Sequence, residues 1–535
     1  MSPAMNMSST ILAHHGLVAG MYDELGIGQL IDEALPKVGP HKLPNSTALK
    51  AMVINTLGFN ERRLYIFPRF FNNLSTERLL GEGIKPEDIN DDVLGRTLDQ
   101  IYSYGSTELF LKIILQVMDR MSFGTQLLHV DTTSVSVHGY YENIDGSPAI
   151  EITYGHTKDH RPDLKQFILS TITNQHGIPL FVKAHSGNAD DKKTLIASIQ
   201  ALRSAVQIPD DVYVIADAAL YTSDKIARLS KDIHWITRVP ATNNEAVDLL
   251  TRDVVLTPGI DQKYSFFETT SHFGAIPQKW VLVWSKENQS RKEKTFGKTL
   301  DKIDKKTRKS LKKLCSVEFA CEPDAQKATD HWVEKHPFYQ ISQYMVTSRS
   351  RRMNGKRGRP KNDEPLMTVY QIRADIVRNE EVIRVEREQL GRFILASNDL
   401  SLDAETMLTY YKNQGAVERG FRFLKDRSFR ISEVYLKKPG RVEALSMVMV
   451  LTLLIYSLLE WKIRKKLKER NEFVLNQVKK PVQNPTMKWI FMDFVGVVDM
   501  KVQIGDEEYR QIANLNENAV KIIGLLGKSC EKYYV

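Results

Sequence analysis

The first 120 positions carry apolar residues at the three- and four-residue spacing of a helix face. One such face, closed by Pro36, is formed by Leu25, Ile27, Leu30, Ile31 and Leu35. The same spacing recurs over residues 48–59 and 108–121. Between them, Asn90 is placed to cap a short helix that carries Arg96. The pattern predicts a helical N-terminal domain over residues 1–120, arranged either as a helix-turn-helix or as an ordinary helical domain.

From Leu127 the pattern changes to the two-residue alternation of β-strands. Strands are expected over residues 127–141, 167–174 and 179–186, with a turn at Gly177 between the last two. Helices and strands then alternate: a helix over 192–206, a strand over 212–215, a helix after Ser223 and a strand over 235–239. A meander followed by this alternation predicts an α/β layer fold for residues 121–240.

Residues 241–395 interrupt that order with strands and basic segments. Strands are expected at 280–285 and 366–377. The segment 291–313 has eleven Lys or Arg and three acids, with the spacing of a lysine-rich helix. It is either a phosphate-binding surface or a solvated helix face. We predict a basic, β-rich insertion over 241–395, after which the α/β domain resumes at 396–465.

The most hydrophobic segment, residues 444–459, is bounded by Glu443 and Glu460. Its 16 residues fall short of the about 20 that a membrane span needs. We therefore predict a buried helix and no membrane contact. Residues 466–535 contain a strand near 494–504 but no motif that assigns them a role.

Charge and composition narrow the class of protein. The 535 residues include 74 Lys and Arg against 65 Asp and Glu, a net charge of +9, and 42% are apolar. A chain of this length accommodates several domains of about 100–200 residues each. The three cysteines form no Cys-x-x-Cys pair, which argues against a disulfide scaffold and a four-thiolate zinc site. Since the N-terminus also lacks the pattern of a signal peptide, we expect a reduced, cytoplasmic protein.

Three acidic residues stand where chemistry is expected. Asp131 lies within a predicted strand, where a buried carboxylate requires a partner or a metal. Asp217 follows another strand, at the carboxyl end where α/β proteins place their ligands. Glu418 lies on a predicted helix among basic and aromatic residues. For either aspartate alone, the alternative is a structural role such as turn capping.

Glu418 shares a predicted helix face with Tyr411, Gln414 and Lys425, because steps of three, four and seven residues return to one side of a helix. An acid, a cation and a phenol on one face suit a metal-bound phosphate. The carboxylate would hold the metal, and the ammonium and hydroxyl groups would hold phosphate oxygens.

With these residues the chain resembles the DDE transposases of bacterial insertion sequences, in the branch with a Tyr-Arg-Glu-Lys signature at this spacing. Gln414 stands where the signature has arginine, which reduces any phosphate contact there to a neutral hydrogen bond. The resemblance includes HVDTT around Asp131, YVIADAALYT around Asp217 and the segment YGHTKDHRPDLKQ between them. It covers roughly residues 120–465, with weaker similarity in the N-terminal helices.

The resemblance implies a ribonuclease-H-like catalytic core interrupted by the insertion, and an N-terminal domain that binds DNA. It also implies that Asp131, Asp217 and Glu418 hold two divalent ions, with Asp131 bridging both. Oxygen ligands favour Mg²⁺ or Mn²⁺ over zinc. Such a site would cleave the terminal inverted repeats of an element and transfer the 3′-OH ends to target DNA.

The same resemblance assigns backbone phosphate contacts to Tyr411, Lys425 and Arg422, and leaves a weaker one to Gln414. Because two ends must be joined, a homodimer on DNA is expected, in the cytoplasm and associated with the nucleoid. Two rival functions stay open. One is a nuclease of this fold that cuts without joining, and the other is an inactive, transposase-derived DNA-binding protein.

Further basic residues are candidates for DNA contacts. Lys158 and Arg161 belong to a basic strip in which His156 and His160 are four residues apart. The histidines would pair around zinc on a helix, but Gly155 and Pro162 favour a loop.

Arg357 and Arg359 lie in KRGRPK, which resembles the core of an AT-hook that enters the minor groove of A·T tracts. The alternative for this segment is a solvated linker. Trp284 is expected in a sheet core, with a base-stacking wedge as the alternative.

Overall fold

The computed structural model describes the chain except for residues 1–4, 38, 40–41, 59–66, 140, 142–148, 157–160, 190, 210, 231–232, 353–365, 416–435 and 505–506. For residue 5 and residues 191–193 the backbone alone is described. The chain divides into two units. The first unit comprises Met1–Thr237, Phe273–Ile276 and Thr406–Val535, and the second unit comprises Arg238–His272 and Pro277–Glu405.

The described helices and strands follow one another in this order. The N-terminal part contains β1 (Met5–Ile11), α1 (His15–Glu24), α2 (Ile27–Ala34), α3 (Asn45–Leu57), α4 (Phe67–Phe71), α5 (Thr76–Leu80), α6 (Asp91–Tyr104) and α7 (Ser106–Arg120). It is followed by β2 (Leu127–Val137), β3 (Lys165–Asn174), β4 (Pro179–Ser186), α8 (Asp191–Ala205), β5 (Tyr213–Ala216), α9 (Ser223–Leu229) and β6 (His234–Arg238).

The chain continues with α10 (Asn244–Thr251), β7 (Thr257–Pro258), β8 (Tyr264–Ser271), β9 (Gln278–Ser285), α11 (Lys286–Cys315), β10 (Glu318–Phe319), α12 (Glu322–Glu334), β11 (Tyr339–Arg352), β12 (Leu366–Arg378), α13 (Glu380–Gln389) and β13 (Arg392–Ser397). The last part contains α14 (Ala404–Lys412), α15 (Pro439–Glu469), β14 (Val474–Leu475), β15 (Pro481–Val482), α16 (Met487–Asp493), β16 (Val498–Ile504), β17 (Glu507–Ala513), α17 (Glu517–Leu526) and α18 (Lys528–Glu531).

The strands of the first unit's central sheet run in the order β4-β3-β2-β5-β6. The first three form an antiparallel meander, whereas β5 pairs in parallel with both β2 and β6. Helix α8 provides the crossover that a parallel pair requires, and it contacts β2, β3 and β4. The predicted mixed α/β fold is confirmed, including the turn at Gly177, whose φ of 75° favours glycine.

The predicted helix face from Leu25 to Leu35 is wrong at its start. Helix α1 ends at Glu24, and α2 begins at Ile27 after Gly26 with a φ of 66°. Gly26 adopts the left-handed conformation, which breaks the helix between Leu25 and Leu30. The predicted cap at Asn90 is confirmed, because its side chain accepts a hydrogen bond from Val93 N at 3.1 Å.

The two ends of the chain pack together. Strand β1 pairs with β16 along its whole length, and α1 contacts α18. The hydroxyl of Tyr534 donates to Ala13 O at 2.7 Å and accepts from Leu17 N at 3.2 Å. Arg78 forms an ion pair with the buried Asp499 at 2.9 Å and donates to Val535 O at 2.7 Å. The C-terminal residues therefore complete the helical N-terminal part.

Helix α15 contains the hydrophobic segment. Its length and composition would allow it to cross a membrane, but 83% of its most apolar window is buried inside the protein. It contacts helices α1, α3, α6, α7 and α17 and strand β4. The predicted buried helix is confirmed.

The second unit has a long antiparallel hairpin and a long helix. Strands β11 and β12 pair from Tyr339 and Arg378 to Arg352 and Leu366. The basic segment 291–313 lies within α11, as its spacing predicts. Strands β13, β9, β8 and β7 form the remaining sheet of this unit. Trp284 lies within β9, opposite Ser265 and Arg392, and is partly exposed.

Candidate active site

Asp131 lies within β2, and Asp217 directly follows β5, the parallel neighbour of β2. The last paired residues of β2 and β5 are His129 and Ile215, and each acid follows its strand's paired residue by two positions. Asp217 has an extended backbone, with φ −71° and ψ 179°, and the described pairing of β2 with β5 ends at Ile215. Because alternate residues share a face and neighbouring strands are about 4.8 Å apart, continuing this pairing by two residues would place both carboxylates side by side on one face.

The surroundings of the two acids differ. Asp131 is half-buried within β2, opposite Thr171 of β3, and its Oδ1 accepts a hydrogen bond from Thr132 N at 2.7 Å. Strand β2 continues to Val137, whereas β5 ends at Ala216. The pair therefore lies at the carboxyl end of β5, where a ligand can approach from beyond the strand.

Asp217 is exposed and also caps a turn, which is the structural alternative to a role in chemistry. Its Oδ1 accepts from Ala219 N at 2.9 Å, which caps the short turn Ala218–Leu220. Its backbone oxygen accepts from Thr237 Oγ1 on β6 at 2.8 Å. Capping uses one carboxylate oxygen, so the same side chain can still offer the other oxygen to a cation.

His129 lies below this pair and was not among the sequence-predicted site residues. It is two positions before Asp131 on the same face of β2, and its side chain is fully buried. Burial lowers its pKa to about 4, so the ring is neutral at physiological pH and adds no charge that would oppose a cation. The signal in the sequence is the two-residue spacing itself.

The donor set fits a hard cation. Two carboxylates on adjacent strands offer oxygen ligands of the kind that Mg²⁺ and Mn²⁺ prefer. Among the described residues no group of three or more His, Cys, Asp or Glu side chains is placed to hold a metal. The predicted third ligand, Glu418, lies outside the described residues, as do Arg422, Lys425, Lys158, Arg357 and Arg359.

Tyr411 and Gln414 are described, and they do not lie on one uninterrupted helix. Helix α14 ends at Lys412, and residues 413 and 414 form a turn in which Gln414 N donates to Tyr411 O at 3.2 Å. The ring of Tyr410, the preceding residue, lies 5.4 Å from that of Tyr213. This contact brings the end of α14 to the first residue of β5, the strand that Asp217 follows.

Arg161 is exposed and paired. Its guanidinium donates to both oxygens of Asp163, at 2.9 and 2.7 Å. This hydrogen-bonded pair holds the pKa of Asp163 at about 2. His156 is exposed on a non-helical segment, as the loop interpretation predicts, and its predicted partner His160 lies outside the described residues.

Comparison with protein families identifies the class to which this geometry belongs. The model of a transposase DDE domain matches residues 122–455, a range that contains Asp131, Asp217 and position 418. Residues 7–115 match a domain of unknown function (DUF4277). No curated protein matches the chain.

The chain belongs to the DDE transposase domain family, because that match spans more than half of its length. Membership carries the general properties of the family: transposase function, DNA as the partner and dependence on a divalent metal.

Proposed function

We propose that this protein cleaves DNA at the terminal inverted repeats of an insertion sequence and transfers the 3′-OH ends to target DNA. The catalytic residues are Asp131, Asp217 and Glu418, within a ribonuclease-H-like core that the second unit interrupts. The observation that carries the proposal is the parallel pairing of β2 with β5 up to His129 and Ile215, each two residues before one of the acids, within the transposase-family region. A pair of neighbouring carboxylates at the open end of a parallel strand is suited to holding cations beside a phosphodiester.

Asp131 and Asp217 would hold divalent cations through their oxygens, with Asp131, on the strand between β3 and β5, as the shared ligand. When bound, two Mg²⁺ or Mn²⁺ ions would activate the attacking oxygen and stabilise the leaving 3′ oxygen. Neutral His129 supports this arrangement, since a protonated imidazole below the pair would compete with the cations. No protein side chain needs to become covalently attached to DNA.

The length of the chain permits Glu418 to join the pair. Tyr213 and Asp217 are four residues apart along β5, a distance of about 13 Å. Tyr410 contacts Tyr213, and Glu418 follows eight residues later. Eight residues span about 12 Å even as a helix, and more when extended. The chain is therefore long enough to bring Glu418 to the end of β5 where Asp217 stands.

We further propose contacts of basic and polar residues with the DNA backbone. They involve Tyr411, Gln414, Arg422, Lys425, Lys158, Arg161, Arg357 and Arg359. The ion pair with Asp163 satisfies Arg161 in the absence of DNA, so a phosphate there would have to displace a carboxylate. The protein would act as a homodimer on DNA in the bacterial or archaeal cytoplasm, because both element ends must be joined.

The test is cleavage of a labelled duplex that carries the element's terminal repeat, in the presence of Mg²⁺. The wild type is expected to nick the end and join it to a second duplex, while Asp131→Asn and Glu418→Gln bind the duplex without cleaving it. Asp211→Asn is the matched control, because this exposed acid lies before β5, at the opposite end from Asp217.

Each rival function has its own result in this assay. Cleavage without a joined product would identify a nuclease that does not transfer strands. Binding without cleavage by the wild type would identify an inactive DNA-binding derivative.

A further inference from the structure

Helix α11 in the second unit has one face that is fixed by packing. Leu300, Thr307 and Leu311 are its buried residues, and Leu311 belongs to a core cluster with Trp332 and Tyr339. Trp332 Nε1 also donates to Ser310 Oγ at 3.0 Å. These contacts determine which side of the helix faces the interior of the unit and which side faces solvent.

The opposite side of α11 carries a row of seven cations, which we call the cationic row. Its members are Arg291, Lys294, Lys298, Lys302, Lys305, Lys309 and Lys312. All are exposed. At about 100° per residue, their steps of three and four residues place them within about 80° of the helix circumference, on the side opposite Leu300, Thr307 and Leu311. From Arg291 to Lys312 the row spans 21 steps along the helix, or about 32 Å.

No member of the cationic row has an ion pair among the described residues. Three acids lie among these residues. Asp304 pairs with Arg308 at 3.1 Å and Asp301 with Arg378 at 3.5 Å, and Glu293, about 200° around the helix from Arg291, lies on the side opposite the row. Some other exposed cations of the same unit are paired, as Arg384 is with Glu381 and Glu388. The row therefore differs from an ordinary solvated face, on which charges of both signs alternate.

Seven like charges three and four residues apart repel one another and weaken the isolated helix. A partner that compensates for this repulsion must carry negative charge along a similar length. Double-stranded DNA meets that requirement, because each strand places a phosphate about every 3.4 Å along the helix axis. A row of about 32 Å extends along roughly nine or ten base pairs, close to one turn of the duplex.

We propose that the cationic row of α11 is a second DNA-binding surface, which holds the backbone of a duplex independently of its sequence. DNA is named as the polyanion because of the proposed function, and on that point this proposal rests on it. The row lies in the second unit, whereas Asp131 and Asp217 lie in the first, so binding by the row requires neither metal nor cleavage. The duplex is either the element's own end or unrelated target DNA, since both present the same phosphates.

The experiment measures the affinity of the full-length protein for two labelled duplexes, one with the terminal repeat and one of unrelated sequence, without divalent metal and over a range of salt concentrations. The test variant combines Lys298→Gln, Lys302→Gln and Lys309→Gln. The control combines Lys286→Gln, Lys327→Gln and Lys335→Gln, which removes the same charge from exposed positions of the same unit outside the row.

The test variant is expected to bind the unrelated duplex roughly tenfold or more weakly, and the slope of log affinity against log salt should fall by roughly 2 to 3, about 0.9 per lost contact. The control should bind as the wild type does. An equal loss on both duplexes means that the row serves element end and target alike, and a loss on one alone assigns it to that DNA. In either case the row binds duplex DNA.

Three results would overturn the proposal. They are unchanged affinity of the test variant, an equal loss in the control, and competition by polyglutamate that matches competition by DNA, which would indicate an acidic protein partner. Glutamine is a good helix former, so the test variant should keep helix α11. A variant that combines Lys298→Arg, Lys302→Arg and Lys309→Arg keeps the charge and should bind as the wild type does. If the wild type binds duplex DNA through the row but does not cleave the terminal repeat, the proposed function alone is contradicted.

Discussion

Asp131 and Asp217 each follow by two residues a member of the last described pair between the parallel strands β2 and β5, His129 and Ile215. Eighty-six positions separate the two acids along the chain, and the pairing of β2 with β5 brings their segments together. Two carboxylates on adjacent strands repel each other unless a cation lies between them. The change in stability on addition of divalent cations is therefore a direct test of whether these carboxylates form a metal site.

Mg²⁺ or Mn²⁺ should stabilise the wild type against heat, because the folded site binds the cation and the unfolded chain does not. At 100 times the dissociation constant, the gain is about 2.7 kcal/mol. Asp217→Asn should lose most of this gain while keeping its stability without metal, since asparagine also caps helical turns well. Thermal melts with and without metal provide the measurement. If metal stabilised Asp217→Asn as much as the control Asp211→Asn, Asp217 would not be a ligand of the cation.

His129 should make the protein sensitive to acid. Its pKa is lowered by burial to about 4 in the folded state, against about 6.5 when unfolded. The unfolded chain thus binds the extra proton first, and stability present above pH 6.5 is lost as the pH falls toward 4. The full difference is up to about 3 kcal/mol.

His129→Val should reduce the slope of unfolding free energy against pH by up to one proton over that range. Denaturant unfolding at several pH values measures the slope. His156→Val, at an exposed position, is the control, and an equal effect of both substitutions would contradict the assignment to burial.

Gly20 should be intolerant of a side chain. A Cβ there would lie 2.6 Å from Cys530 Cα and 2.6 Å from Ser529 O, both backbone atoms of the C-terminal segment. Gly20→Ala should therefore push α18 away from α1 and destabilise the first unit by about 1–3 kcal/mol. Gly524→Ala is the matched control in helix α17, where nothing lies within 4 Å.

The control should be neutral or stabilise the protein by up to about 1 kcal/mol, because alanine favours the helix. Denaturant titration of both variants measures the difference. If Gly20→Ala were as stable as Gly524→Ala, the close packing of the two chain ends would be refuted.

Arg441 should stabilise the protein through Asp99, which joins α15 to α6. Its guanidinium donates to both oxygens of Asp99, at 2.7 and 2.6 Å. These hydrogen bonds hold the pKa of Asp99 below its usual value. Since both side chains are partly exposed, solvent screening limits the loss in Arg441→Gln to about 1 kcal/mol at pH 7.

The contribution of this pair should begin to shrink as the pH falls below about 4, the usual pKa of an aspartate, and it should be lost once the pH is below the lowered pKa of folded Asp99. Stability curves of wild type and Arg441→Gln at pH 7 and pH 3 measure this. Lys438→Gln is the control, since its Nζ is 3.9 Å from Asp99 and its side chain is 69% exposed. A difference between wild type and Arg441→Gln that persists unchanged at pH 3 would exclude the ion pair as its cause.

Local spacing in the sequence predicted much of the fold. The alternation of residues 127–186 predicted β2, β3 and β4, the apolar run predicted buried α15, and the basic segment predicted α11, because periodicity depends on neighbours along the chain. The same kind of argument missed the break at Gly26, where a single backbone conformation separates two helices that share an apolar spacing. It also extended one helix past Lys412, where α14 ends.

The sequence by itself determined which residues are candidates for chemistry. Asp131 within a strand and Asp217 after one can be identified without coordinates, because each position is defined by its own segment. Only the tertiary structure decided that their segments lie side by side, since the pairing of β2 with β5 is a contact between distant segments. Likewise, the lysine spacing of α11 was visible in the sequence, but the packing of Leu300, Thr307 and Leu311 decided which side of the helix remains open to a partner.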